Sequence, residues 1–74
     1  MTHIQAFCQR TGRSISGTCA YTLDREVMAA WRRWMKAGPE TEGAARKEYE
    51  AAQQVLNEYG DAWEADQARK EARA

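Results

Sequence analysis

The second half of the chain contains an apolar repeat that only a helix can place on one side. Between Ala45 and Trp63, apolar residues follow one another at alternating intervals of four and three residues. This heptad spacing returns each of them to the same face of an α-helix, where they form a seam that another helix can cover. The seam predicts a long helix over residues 41–68, continuous through Gly60, and a frayed tail over residues 69–74. Its members are Ala45, Tyr49, Ala52, Leu56, Tyr59 and Trp63.

A shorter amphipathic helix is predicted over residues 22–37. Thr22 is a suitable N-cap residue, and the Gly38-Pro39 pair ends the helix. On a helical wheel one side of this segment is apolar and the opposite side is basic, which is typical of a helix that packs on a core. The centre of the apolar side is formed by Leu23, Val27, Ala30 and Trp34, and Met28, Trp31 and Met35 widen it.

The first 21 residues alternate between two faces, which is typical of half-buried strands. Residues 2–9 and 14–21 both follow this period of two, and Gly12 between them can supply the positive φ of a turn. The pattern predicts a β-hairpin over residues 2–21. The predicted fold is therefore α+β, with an N-terminal β-hairpin followed by two helices in a single domain of residues 1–74. The face of the hairpin that a helix should cover carries Ile4, Ala6, Cys8, Ile15, Cys19 and Tyr21.

The two predicted helices differ in length, which leaves part of the seam without a partner. A helix over residues 41–66 is roughly 40 Å long, whereas the first helix covers only about 22 Å. Three elements could cover the part of the seam that the first helix does not reach: the hairpin of the same chain, a second copy, or a different protein. The residues of the candidate partner or dimer seam are Tyr49, Leu56, Tyr59 and Trp63.

Cysteine and histidine are too few for the usual metal or catalytic sites. Cys8 and Cys19 are the only cysteines, and His3 is the only histidine. In the predicted hairpin the two thiols lie about 13 Å apart, too far for a disulfide. Zinc prefers four ligands, and no catalytic motif is recognisable. We therefore expect a protein that is not an enzyme and holds no metal or cofactor. Because no signal peptide or membrane span is found, we expect it in the cytoplasm.

Charge is distributed unevenly along a chain whose formal net charge is zero. Residues 1–37 contain six Arg and Lys against two acids, whereas residues 40–74 contain five against nine. An acidic helical face can occupy a basic groove of another protein, such as a nucleic-acid-binding protein. This face predicts binding of a protein partner. Its residues are Glu50, Glu58, Asp61 and Glu64.

The basic side of the first helix, together with the turn, supports an alternative in which the protein binds nucleic acid directly. The segment Thr22–Val27 resembles the strand-to-helix junction of ribbon-helix-helix repressors, although a hairpin and a long second helix depart from that family. The candidate phosphate-binding residues are Arg10, Arg13, Arg25, Arg32, Arg33 and Lys36.

In size and general plan the chain is similar to small phage and plasmid proteins, including anti-CRISPR inhibitors. This similarity is one of shape and not of motif. It implies a mobile-element-encoded inhibitor that binds a host nucleic-acid-handling machine. A nucleic-acid-binding regulator is the first alternative. A structural protein that forms homodimers through its helical hairpin is the second.

Overall fold

Two helices lie one after the other along a third in the computed structural model, which describes residues 1–73. Helix α1 spans His3–Thr11, α2 spans Ala20–Lys36 and α3 spans Glu42–Arg73. Both α1 and α2 run antiparallel to α3. Trp34 near the end of α2 contacts Tyr49 near the start of α3, while α1 packs farther along, where Phe7 meets Tyr59. The result is a rod with dimensions of 53 × 19 × 16 Å.

The β-hairpin predicted over residues 2–21 is wrong, and the fold is all-helical rather than α+β. No strand occurs among the described residues. Helix α1 starts with a capping box, in which the Thr2 hydroxyl accepts a hydrogen bond from the Gln5 amide at 3.0 Å. In return, the Thr2 amide donates to the Gln5 side-chain oxygen at 2.7 Å. The box satisfies amides that the start of a helix leaves without intrahelical partners.

Burial in α1 follows the helical period and not the period of two. Phe7 and Cys8 are both buried, with 2% and 1% exposure, although a strand would point these neighbours to opposite faces. Gly12 has a positive φ of 70°, as predicted, but it ends a helix instead of turning a hairpin. The Arg13 amide donates to the Cys8 carbonyl at 2.8 Å, which closes the last turn.

The other two helices differ from their predicted bounds mainly at the ends. Helix α2 begins at Ala20, so the segment compared with ribbon-helix-helix repressors lies wholly inside a helix. Thr22 is not the N-cap residue; its hydroxyl instead accepts a hydrogen bond from the Cys19 amide at 3.1 Å. Helix α3 is continuous through Gly60, as predicted. It extends to Arg73, into the tail over which fraying is predicted, and Ala74 lies outside the described residues.

The core lies where α1 and the first turns of α2 meet the middle of α3. Leu23, Val27 and Ala30 are buried, which confirms the predicted centre of the apolar side of α2. The rings of Phe7 and Tyr59 meet edge to face with centroids 5.7 Å apart. Helix α1 thus covers much of the part of α3 that α2 is too short to reach. Partly buried Ile4, Val55, Leu56, Tyr59 and Ala62 pack against Phe7, Cys8 and Leu23.

Four of the six residues that the hairpin would have placed under cover, Ala6 among them, are instead open to solvent. Ile15 is 56% exposed and Tyr21 is 68% exposed, and Cys19 is exposed as well. The physical reason is that residues 12–19 connect two helices and do not pair as a strand, while Ala6 and Tyr21 lie on outer sides of α1 and α2. Only Cys8 of the two predicted buried thiols lies in the core.

Two glycine substitutions should change stability in opposite directions. Gly12→Ala places a Cβ on a left-handed residue and should lower the free energy of unfolding by about 1–2 kcal/mol. Gly60→Ala adds a Cβ where nothing lies within 4 Å, and should raise it by up to about 1 kcal/mol because alanine favours a helix. Urea unfolding followed by circular dichroism measures both values. Shifts of the same sign would contradict the helix bounds.

Candidate functional site

One flank of α2 presents large apolar side chains to solvent. Tyr21, Met28, Trp31 and Met35 are 68%, 42%, 41% and 55% exposed. They follow one another at intervals of seven, three and four residues and lie on one side of the helix beside its buried centre, with Asp24 between Tyr21 and Met28. We call these four residues the α2 stripe. Its spacing is that of a helix-packing seam, but no helix of the chain covers it.

A groove of about 280 Å³ runs beside the α2 stripe, between α2 and α3. The neighbouring rings of Trp34 and Tyr49 pack with centroids 5.5 Å apart and join the two helices at this level. Asp24 is the only charged residue of the lining, so the groove suits an apolar surface better than a charged ligand. The lining consists of Asp24, Val27, Met28, Trp31, Tyr49 and Gln53.

The candidate phosphate-binding residues do not form one continuous basic surface. Arg25 lies over the ring of Tyr21, with its guanidinium carbon 5.8 Å from the ring centroid. Three other arginines are held by glutamates of the same chain, which neutralises their charge locally. These ion pairs are Arg10–Glu58 at 3.1 Å, Arg13–Glu26 at 2.7 Å and Arg33–Glu48 at 3.3 Å.

The predicted acidic face is also partly occupied within the chain. Glu58 accepts hydrogen bonds from both Arg10 and Gln54, and Glu50 pairs with Arg46 one turn earlier at 3.0 Å. Asp61 and Glu64 are exposed on α3, and neither forms an ion pair in the described part of the chain. The four carboxylates therefore do not offer a partner one uniform surface.

The candidate partner or dimer seam is mostly covered by the chain's own helices. Leu56 and Tyr59 pack on the core cluster, and Tyr49 contacts Trp34. Trp63 differs from them because it is 48% exposed: α1 packs beside it on another side of α3. Of the seam, Trp63 remains the residue most open to a partner.

Asp66 on α3 binds the first turn of α1. Its carboxylate accepts hydrogen bonds from the backbone amides of His3 and Ile4 at 2.8 and 3.0 Å, and the His3 ring lies 2.9 Å away. Desolvation beside α1 raises the pKa of this carboxyl, but the hydrogen bonds outweigh it, so the pKa lies below its ordinary value. The side chain thus caps α1 from another helix.

Two features of the described residues bear on other classes of site. No cluster of three His, Cys, Asp or Glu side chains able to hold a metal ion occurs among them. Within the same residues, every helix is too short or too polar to cross a membrane. A concavity of about 840 Å³ is a wide open hollow between α1 and the loop that follows it.

The α2 stripe was not predicted as a site; Met28, Trp31 and Met35 were assigned to the apolar side of a helix, and Tyr21 to a face of the hairpin. The sequence signal that could have identified the stripe is the width of the apolar side of α2. Its apolar residues cover nearly half of the circumference of the helix, more than one packing helix can bury. Comparisons with protein-family models, with curated proteins and with solved structures find no match for this chain.

Replacing Asp66 by alanine should remove a pH-dependent part of the stability. Because its pKa is lowered in the folded protein, the carboxylate stabilises the fold above its ordinary pKa of about 4, and this effect is lost as the pH falls through the lowered value. Urea unfolding of the native protein and of Asp66→Ala should differ at pH 7 and converge in acid. Asp61→Ala is the matched control, because Asp61 is exposed, and it should not lower the free energy of unfolding at pH 7.

The two thiols should react at very different rates. Hydrogen bonds from the Thr22 amide and then the Thr22 hydroxyl lower the pKa of the exposed Cys19 thiol at the start of α2. Cys8 is 1% exposed and reacts only after local opening. We expect one fast thiol with a disulfide reagent and a second that is roughly a hundredfold slower. Cys19→Ser should abolish the fast phase and Cys8→Ser should leave it; the reverse would contradict the placement of α1.

Proposed function

We propose that the protein is a non-enzymatic protein-interaction module that binds through the α2 stripe and the adjoining groove. The observation that carries the proposal is the exposure of Tyr21, Met28, Trp31 and Met35 along one line of a helix. Scattered apolar residues on a surface need no explanation, but four large ones on the same side of one helix do. Such patches mark interaction sites.

The chemistry of the stripe favours a protein over nucleic acid as the ligand. Tryptophan, tyrosine and methionine are enriched at protein interfaces, and methionine adapts its shape to the surface that it meets. A nucleic-acid site would instead need cations free to contact phosphate. Arg10, Arg13 and Arg33 are engaged by glutamates of the chain, which weakens that alternative.

The proposed setting is the cytoplasm, where the free thiols of Cys8 and Cys19 would stay reduced. The similarity in plan to anti-CRISPR inhibitors lends no support, since that plan included a hairpin which the chain does not form. The proposal therefore names a class of partner, a protein with an apolar surface, and no particular process. In it, Asp61 and Glu64 remain available on α3 for additional polar contacts.

Photo-crosslinking tests the proposed surface. A benzophenone amino acid replaces Trp31 in one variant and Trp63 in the other, since both indoles are similarly exposed, at 41% and 48%. After irradiation in a nuclease-treated extract of the source organism, position 31 should form defined protein adducts and position 63 few or none. Equal labelling from both positions, or no protein adduct from position 31, would contradict the proposal.

A further inference from the structure

We infer that the occupant of the α2 stripe is a second copy of this chain, with α2 of each copy lying on α3 of the other. This inference rests on the proposed function and names its partner. Two copies would stack face to face as two layers of two helices, and the stripes would become the centre of a four-helix bundle. The argument uses the spacing of the stripe, the charges beside it, the alignment of the helices and the area left exposed.

The spacing of the stripe calls for a helix as the covering element. Intervals of seven, three and four residues place Tyr21, Met28, Trp31 and Met35 at seam positions of a helix that packs at a shallow angle on another. The rod is only 19 × 16 Å across, about two helices wide. A second layer of two helices is the smallest addition that covers the stripe and the groove together.

Charge selects which helix of the second copy lies on α2. The outer side of α2 is basic, with Arg25, Arg32 and Lys36, whereas residues 46–62 of α3, which lie alongside α2, contain four acids against two basic residues. Placing α2 on the other copy's α2 would bring like charges together, which destabilises a contact. Placing it on the other copy's α3 brings Arg32 to the level of Glu50 and Arg25 to the level of Glu58.

The alignment of helices within one chain then predicts a specific ion pair between copies. Arg33 pairs with Glu48 at 3.3 Å, which sets the level of α2 against α3. A twofold axis parallel to the helices does not shift one copy along the other. Residues of α2 therefore face the same residue numbers of α3 in the other copy as they do in their own chain. Arg32, one turn from Met28 of the stripe, then faces Glu50 of the second copy. Glu50 also pairs with Arg46 within α3 at 3.0 Å, and its second carboxylate oxygen can accept from Arg32 of the other copy.

The exposed area is appropriate for a homodimer contact. Burying an aromatic side chain removes about 150–250 Å², so the open fractions of Tyr21 and Trp31 amount to roughly 200 Å². Met28 and Met35 bring the stripe to about 400 Å², within the range of large surface patches that have a function. A stable interface buries about 800 Å² per partner, so the stripe supplies half and its polar borders the rest.

Sedimentation equilibrium measures the mass directly, and the chain of 8.4 kDa should sediment as a species of twice that mass at micromolar concentration. Trp31→Lys should weaken association at least tenfold, while Trp63→Lys, a matched control outside the stripe, should leave it unchanged. Circular dichroism verifies that each variant is folded. Met35→Lys, at a more exposed position near the end of α2, replaces Trp31→Lys if that variant unfolds. A monomeric native protein, or equal weakening by both tryptophan variants, overturns the inference.

A charge exchange tests the pairing of α2 with α3. Arg32→Glu should weaken association about fivefold, the effect of an exposed ion pair worth about 1 kcal/mol. Adding Glu50→Arg should restore it, because the pair is then reversed and not lost. If the double variant associates no better than Arg32→Glu alone, the pairing is wrong.

The two proposals fail in different ways. A monomeric chain that still forms adducts to another protein from position 31 overturns the dimer and leaves the interaction module standing. A monomeric chain that forms no protein adduct overturns both. An adduct of twice the chain's mass identifies the second copy itself.

Discussion

The whole fold depends on α3 as the one continuous surface that the other helices share. At 32 residues it is about 48 Å long, and α1 and α2 lie along it in succession. Two helices in contact bury only the strip between them, so the core is narrow and concentrates where Phe7, Cys8 and Leu23 meet the middle of α3. This geometry explains why α2 can be half apolar and still leave a line of large side chains in solvent.

The long periodic segments could be predicted from the sequence, and the short one could not. In α2 and α3 the apolar repeat continues for many turns, so only one period fits it, and the predicted and observed bounds differ by few residues. Helix α1 has nine residues, over which Ile4, Ala6 and Cys8 alternate while Ile4, Phe7 and Cys8 follow helical spacing. Over so few residues the strand pattern and the helix pattern fit almost equally well. The capping pair Thr2 and Gln5 was the local feature that could have decided between them.

The candidate site was harder to predict because charges and apolar residues act through neighbours distant in sequence. Arg13 was assigned to a hairpin tip, whereas it extends from a loop to Glu26 on α2. Glu58 was assigned to an open acidic face, whereas it holds Arg10 of α1. Residue types alone identified two charged surfaces, and tertiary pairing then neutralised much of both. The α2 stripe was not predicted because its residue types are typical of a buried core. Only the tertiary structure shows that no other helix packs against them.

The cap that Asp66 places on α1 has a consequence for the order in which the chain can fold. The contacts of α2 with α3 join neighbouring segments through a short connection, whereas His3 and Asp66 are 63 residues apart. Local contacts form before distant ones because closing a long loop costs more entropy. On a ribosome, α1 emerges before α3 and can therefore dock only after the segment of α3 up to Asp66 has emerged. Its amphipathic surface, with Phe7 at the centre, stays open during that interval.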